Sequence, residues 1–160
     1  MKLQPRVNKA DHLQGNLDAP IELVEYGDYQ CPHCGRAYPI VKSIQRKMGN
    51  KLKFVFRNFP LAEMHPDATR AAVAAEIAAS QGKFWEMHDR LFENQTALDD
   101  ENLAQYAADL GLDARLIKRS CRRRACCARA RGFPKRSARW CKRYTHLFYQ
   151  RCALRRRTAC

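Results

Sequence analysis

The sequence predicts an α/β fold, a β-α-β unit followed by a block of helices. Three observations predict it. Two short runs, Ile21 to Tyr26 and Leu52 to Asn58, hold β-branched and aromatic residues between turn residues. A helical stretch beginning at Cys31 separates them. Beyond Pro66, apolar residues recur at helical spacing as far as Leu110.

The elements follow in order. Residues 1–19 are polar and end in Gly15-Asn16-Leu17-Asp18-Ala19-Pro20, a loop-like lead-in. Ile21-Glu22-Leu23-Val24-Glu25-Tyr26 reads as a strand and Gly27-Asp28-Tyr29-Gln30 as a turn. Cys31 opens a helix whose apolar side carries Ala37, Tyr38, Ile40, Val41 and Ile44. Pro32 suits a first helical position, where no N–H partner is needed. Pro39 falls inside the helix and is expected to kink it. Gly49-Asn50 ends it. Leu52-Lys53-Phe54-Val55-Phe56-Arg57-Asn58 alternates as a second strand, stopped by Phe59-Pro60. The β-α-β order makes the two strands parallel neighbours with a right-handed crossover.

A helical block comes next. Pro66-Asp67 starts an Ala-rich helix that ends at Gln81-Gly82. Lys83 to Asn94 places Phe84, Trp85, Met87, Leu91 and Phe92 on a buried stripe. Asp99-Asp100-Glu101 caps a helix whose apolar side uses Leu103, Tyr106, Ala107 and Leu110. Gly111-Leu112-Asp113 begins a fourth. In this block His65 reads as a turn or cap residue, and His88 as a surface or satisfied core histidine.

Near residue 116 the composition breaks. Residues 1–115 hold 14 Lys+Arg against 16 Asp+Glu. Residues 116–160 hold 16 Lys+Arg, no acid and six of the eight cysteines, so the whole basic excess belongs to this segment. A basic arm of this kind neutralises phosphates, so nucleic-acid binding through 116–160 is the alternative function. The spacing of its cysteines, with His146 alone, does not match a zinc finger. A third reading fits best. Taken from the second base of each codon, the stretch Arg143 to Cys152 permits Gly-Thr-Pro-Thr-Phe-Phe-Ile-Asn-Gly. The same offset yields a folded-type sequence on both sides. The expected organisation is therefore a domain over 1–115 and a disordered, out-of-frame tail over 116–160.

The chemistry lies at Cys31-Pro32-His33-Cys34. A helix N-terminus offers unpaired N–H groups and partial positive charge, which stabilise a thiolate. Cys31, at the helix start, is the attacking thiol, and Cys34, one turn further in, resolves the mixed disulfide. His33 can stabilise the Cys31 thiolate, and Pro32 removes a donor and stiffens the loop. Glu25, on the strand beneath, can take or deliver the proton of Cys34. Strand alternation leaves its face open, so a solvent-facing Glu25 is the competing reading. Half a zinc site is the competing reading of the cysteine pair, with His12, His65 and His88 the only histidines of residues 1–115 outside the motif.

Val24-Glu25-Tyr26 leading to Cys31-Pro32-His33-Cys34 resembles the DsbA-like thiol–disulfide oxidoreductases of the thioredoxin superfamily. Phe56-Arg57-Asn58-Phe59-Pro60-Leu61 with His65-Pro66 is similar to the next segment of those proteins, as is Gln81-Gly82-Lys83-Phe84-Trp85-Glu86-Met87-His88-Asp89. The resemblance covers roughly residues 17–115. It implies a thioredoxin-like fold with a helical insertion, the nucleophile at Cys31, the resolving thiol at Cys34 and the acidic residue under the site at Glu25. It also implies a cis-proline loop against the motif. The written chain lacks that loop and the second half of the sheet, and Pro134, with unmatched flanks, does not take the role.

The implied function is thiol–disulfide exchange with protein or small-thiol substrates and a redox partner the sequence does not identify. No cofactor is implied beyond a redox-active Cys31–Cys34 disulfide, and no metal. The N-terminus lacks an apolar signal region and no stretch is apolar enough to span a bilayer. A cytoplasmic location is the expectation, or a periplasmic one if translation starts upstream.

Overall fold

The computed structural model describes residues 6–8 and 11–119. The segment read above as an out-of-frame tail, the missing cis-proline loop and the alternative nucleic-acid arm lie outside the described residues, apart from 116–119.

Three strands form the described sheet, β1 (His12–Gly15), β2 (Ile21–Gly27) and β3 (Leu52–Asn58), in the order β1-β3-β2. β2 runs parallel to β3 with Glu25 opposite Phe56, and β1 runs antiparallel on the other side of β3. β3 is therefore the central strand, and Leu52, Phe54, Val55, Phe56 and Arg57 along it are all buried. Among the described residues β2 pairs only with β3, and it is the more open of the two strands.

β1 corrects the expected loop-like lead-in. Its sequence, His12-Leu13-Gln14-Gly15, has one aliphatic side chain and no β-branched one, so it carries no strand signature. Tertiary contacts make it. β3 offers a free edge, the Trp85 indole N–H donates to the Leu13 carbonyl at 3.1 Å, and His12 stacks on Phe84 at 3.5 Å. Gly15 closes the strand at φ 97°, where a Cβ would run into the Leu52 carbonyl.

α1 (Pro32–Met48) crosses from β2 to β3 and continues through Pro39. α2 (Ala68–Ala79), α3 (Phe84–Glu93) and α4 (Asp100–Asp109) form the helical block, and residues 114–119 are helical again. The core lies where this block meets β3. Phe54 and Phe56 pack with the small faces of α2 (Ala71, Ala74, Ala75, Ala78) and with Phe84, Met87, Leu91 and Phe92 of α3. Alanine on α2 lets the helices approach closely, and the large residues of α3 fill the space left. Asp99 caps α4, accepting from the Glu101 and Asn102 amides.

Candidate active site

The turn between β2 and α1 is pinned from several directions. At Gly27 the Phe56 ring fills the space a side chain would need, so no other residue fits without moving it. Asp28, 3% exposed, accepts three bonds: from the Gln30 amide on Oδ1, and from the Leu61 amide and His65 Nδ1 on Oδ2, each at 2.8 Å. Its own carbonyl accepts from the Cys31 amide. Tyr29 is buried against Phe56 and Phe92, its hydroxyl hydrogen-bonded to His88 Nδ1 at 3.2 Å. Gln30 exchanges two bonds with Asp67 ahead of α2. Cys31 is thus delivered to the start of α1 by a turn tied to the loop after β3, to the start of α2 and to α3.

Cys31 occupies the N-cap of α1, with extended backbone (φ −74°, ψ 122°), and Pro32 follows in the first turn. No side chain caps this end and the first turn holds no acid, while Arg46 and Lys47 sit in the last turn. The positive end of the helix dipole is left to whatever charge develops at Cys31. Cys31 and Cys34 are both free and half-buried.

Cys34 is the guarded thiol. Burial pushes it up to about 11, helped by Cys31 and Glu25, although a bond from the Asp28 backbone pulls the other way. It therefore stays protonated at neutral pH. Glu25 lies half-buried on β2, and burial raises its carboxyl above the usual range. Leu23, Glu25 and Gly27 share one face of β2. Leu23 packs on the core, and a Cβ on Gly27 would meet the Phe56 ring and lie 3.4 Å from Glu25 Oε1, so Glu25 is on the core side of the strand. His33 is exposed, and its Nδ1 accepts from the Arg36 guanidinium at 2.8 Å. Pro32 is exposed beside it.

Three further residues support the turn: the sequence placed His65 in a turn and offered His88 as a satisfied core histidine, while Gln95 carried no signal. His65 reaches Asp28 from a loop 37 positions away. His88, 2% exposed, sits inside a cage of Tyr29, Tyr38, Phe56, Phe84, Trp85 and Phe92, and burial lowers it to about 3. Gln95, between α3 and α4, donates from Nε2 to the Tyr29 carbonyl at 2.8 Å and the Cys31 carbonyl at 3.0 Å. Among the described residues no group of three His, Cys, Asp or Glu side chains is placed to hold a metal ion.

The family model described as Thioredoxin matches residues 7–151. The chain belongs to the thioredoxin family. The matched span crosses the composition break near 116 and ends at 151. Two solved structures share the fold of this thioredoxin-family chain. A thioredoxin-like oxidoreductase from Silicibacter pomeroyi is 27% identical with a TM-score of 0.63, over 70% of this chain and 63% of its own. BdbD from Bacillus subtilis, in its oxidised form, is 26% identical with a TM-score of 0.63, over 75% of this chain and 70% of its own. The helical block after β3 thus belongs to a thioredoxin-like oxidoreductase fold of the DsbA-like kind.

Among curated proteins, the Na(+)/H(+) antiporter NhaA 1 of Mycolicibacterium vanbaalenii is 45% identical over 111 residues. That match takes in 69% of this chain and 18% of the antiporter. The similarity is therefore to a limited part of a much longer protein. Among the described residues no helix is long and apolar enough to cross a membrane.

Proposed function

We propose that this chain is a thiol–disulfide oxidoreductase working through Cys31-Pro32-His33-Cys34 on protein or small-thiol disulfides. The observation that carries the reading is the asymmetry of the pair. Cys31 stands at an uncapped helix N-terminus, while half-buried Cys34 is held as a thiol by burial. One thiol is set up to attack first and the other to wait.

The Cys31 thiolate attacks one sulfur of the substrate disulfide. A Cys31–substrate disulfide forms, and the second substrate sulfur leaves as a thiolate, which takes up a proton. Cys34 then gives its proton to the Glu25 carboxylate and attacks the Cys31 sulfur. The Cys31–Cys34 disulfide forms and the substrate leaves as a dithiol, or as two thiols. In reverse, a dithiol partner attacks Cys31 of the Cys31–Cys34 disulfide, and Cys34 leaves as a thiolate and takes up a proton. The partner's second thiolate displaces Cys31, so the protein gains two electrons and the partner is left as a disulfide. In the first direction the substrate is reduced and the Cys31–Cys34 pair oxidised; the partner's potential sets which direction runs. Pro32 stiffens the turn, and His33 lines its exposed side.

Na(+)/H(+) antiport is not part of the proposal, because the match takes in only 18% of the antiporter that carries that name.

The test is trapping, read on the 31–34 peptide by mass spectrometry. A Cys34→Ser chain is expected to accumulate mixed disulfides at Cys31, and a Cys31→Ser chain to show none on that peptide. Absence of a species trapped at Cys31 with Cys34→Ser overturns the reading.

A further inference from the structure

The geometry points to Gln95 as a positioning residue of the exchange site, holding the backbone that presents Cys31 to Cys34. The inference rests on the reading of those two cysteines as an exchange pair.

Gln95 lies in the loop between α3 and α4, on the helical block and not on the β-α-β unit. Its Nε2 donates to two carbonyls, Tyr29 at 2.8 Å and Cys31 at 3.0 Å. Both partners can only accept, so the side chain's orientation is fixed by them. The Cys31 carbonyl also accepts the first helical bond of α1, from the Gly35 amide at 3.0 Å. Gln95 therefore joins the last residues of the turn to the first turn of the helix at one point. Rotation of the Cys31 peptide would break both of its bonds.

The loop that carries Gln95 is itself fixed. The Asn94 side chain donates to the Arg90 carbonyl at 2.8 Å, and the Tyr106 hydroxyl to the Ala97 carbonyl at 3.0 Å. Leu98, 2% exposed, anchors the loop in the core. The hold on Cys31 thus draws its stiffness from the block.

Gly35 supplies a second, independent observation. A Cβ there would collide with the Gln95 amide. The position has ordinary helical backbone, so glycine is not needed for conformation. It is needed to leave room for Gln95. A helix interior normally disfavours glycine, so the space kept for this amide outweighs a local cost.

The consequence is kinetic and thermodynamic. Ring closure between Cys31 and Cys34 depends on how narrowly the two sulfurs are held, and loosening the Cys31 peptide lowers their effective concentration. Loss of the two bonds is expected to lower it about tenfold.

The experiment measures the equilibrium of the Cys31–Cys34 disulfide with glutathione on the full chain. The 31–34 peptide is read by mass spectrometry so that the other cysteines do not interfere. Gln95→Glu keeps the shape, loses both donors and is expected to show the tenfold loss while staying folded. Gly35→Ala is expected to shift the equilibrium in the same direction by displacing the amide. In a Gln95→Ala background, where the amide is gone, Gly35→Ala is expected to add nothing. A folded Gln95→Glu chain with the wild-type equilibrium overturns the inference, and so does a Gly35→Ala loss that persists in full in the Gln95→Ala background. A wild-type pair that forms no disulfide with glutathione overturns the exchange reading and this inference together. A wild-type pair that does form one, matched by all variants, overturns this inference alone.

Discussion

The two halves of the described molecule are built to different standards of packing. α2 buries seven of its twelve residues and α3 five of its ten, whereas α1, the longest helix, has no buried residue. β3 is sealed between two strands, and β2, which carries Glu25, is partly open. The cysteines sit on the thin side of this division, and the apolar core on the other. Stability and chemistry are kept in different parts of the molecule. The block supplies the burial that folding needs. It then reaches across with a few polar side chains, Gln95, His88 and Asp67, to hold a turn that could not hold itself.

The comparison breaks most sharply if chemistry and stability fail to separate. Cys31→Ser is expected to abolish disulfide exchange completely while leaving the thermal unfolding midpoint close to wild type. A large drop in that midpoint would show Cys31 to be a packing residue. The reverse experiment is on α3. Leu91, 0% exposed, is expected to cost about 3 kcal/mol on Leu91→Ala in denaturant unfolding. Ile40 of α1, 60% exposed, is expected to cost less than about 0.5 kcal/mol on Ile40→Ala. Equal costs would mean that α1 is packed in solution, and the contrast between the halves would fall.

The same division decides what could be read from the sequence. The block was legible because its helices bury one face: the Phe84-Met87-Leu91 spacing, the Asp99 cap and the alanines of α2 each point to one structure. β3 was legible from alternation, β2 from its apolar and β-branched content between turn residues, and α1 from the cysteine motif at a strand–helix junction. β1 was not, since it exists to satisfy the edge of β3 and its own residues have little strand preference. The face of Glu25 was not legible either, because its strand lacks clean alternation. Gln95 escaped for a different reason, and so did the partner of His65, whose place in a turn was legible. Both act through hydrogen bonds to residues far away in sequence, and such contacts leave no periodic trace. The motif could be found in the sequence, but its supports could not.

His88 sharpens the comparison by pH. It belongs to the block and touches the turn through Tyr29. Burial lowers it from 6.5 to about 3 in the folded chain. Between those values the unfolded chain binds the extra proton, so stability rises with pH across the window. The contribution is complete above pH 6.5 and is lost as pH falls towards 3. From pH 6.5 to pH 5 it is expected to remove about 2 kcal/mol. His88→Leu should flatten the pH slope of unfolding free energy in that interval, whatever it does to stability at pH 7. An unchanged slope would mean that His88 is reached by water and protonates in place.

Glu25 gives the smallest effect and tests the thin half from within. Burial raises its carboxyl above 4.5 in the folded chain. Between 4.5 and that raised value the folded chain binds more protons than the unfolded one. Stability therefore falls as pH rises through the window, and above it the buried carboxylate remains a cost. Glu25→Gln is expected to raise the unfolding midpoint slightly at neutral pH and to bring no gain below pH 4.5. The same change should slow closure of the Cys31–Cys34 disulfide, because Cys34, pushed up to about 11, loses its nearby base. The expected slowing is about tenfold, less than a general base often supplies, since half-buried Cys34 also meets water. A gain in stability with a loss in rate marks a carboxylate kept for its chemistry. A chain changed in neither respect would return Glu25 to the solvent face of its strand, and the proton of Cys34 would have to leave by water alone.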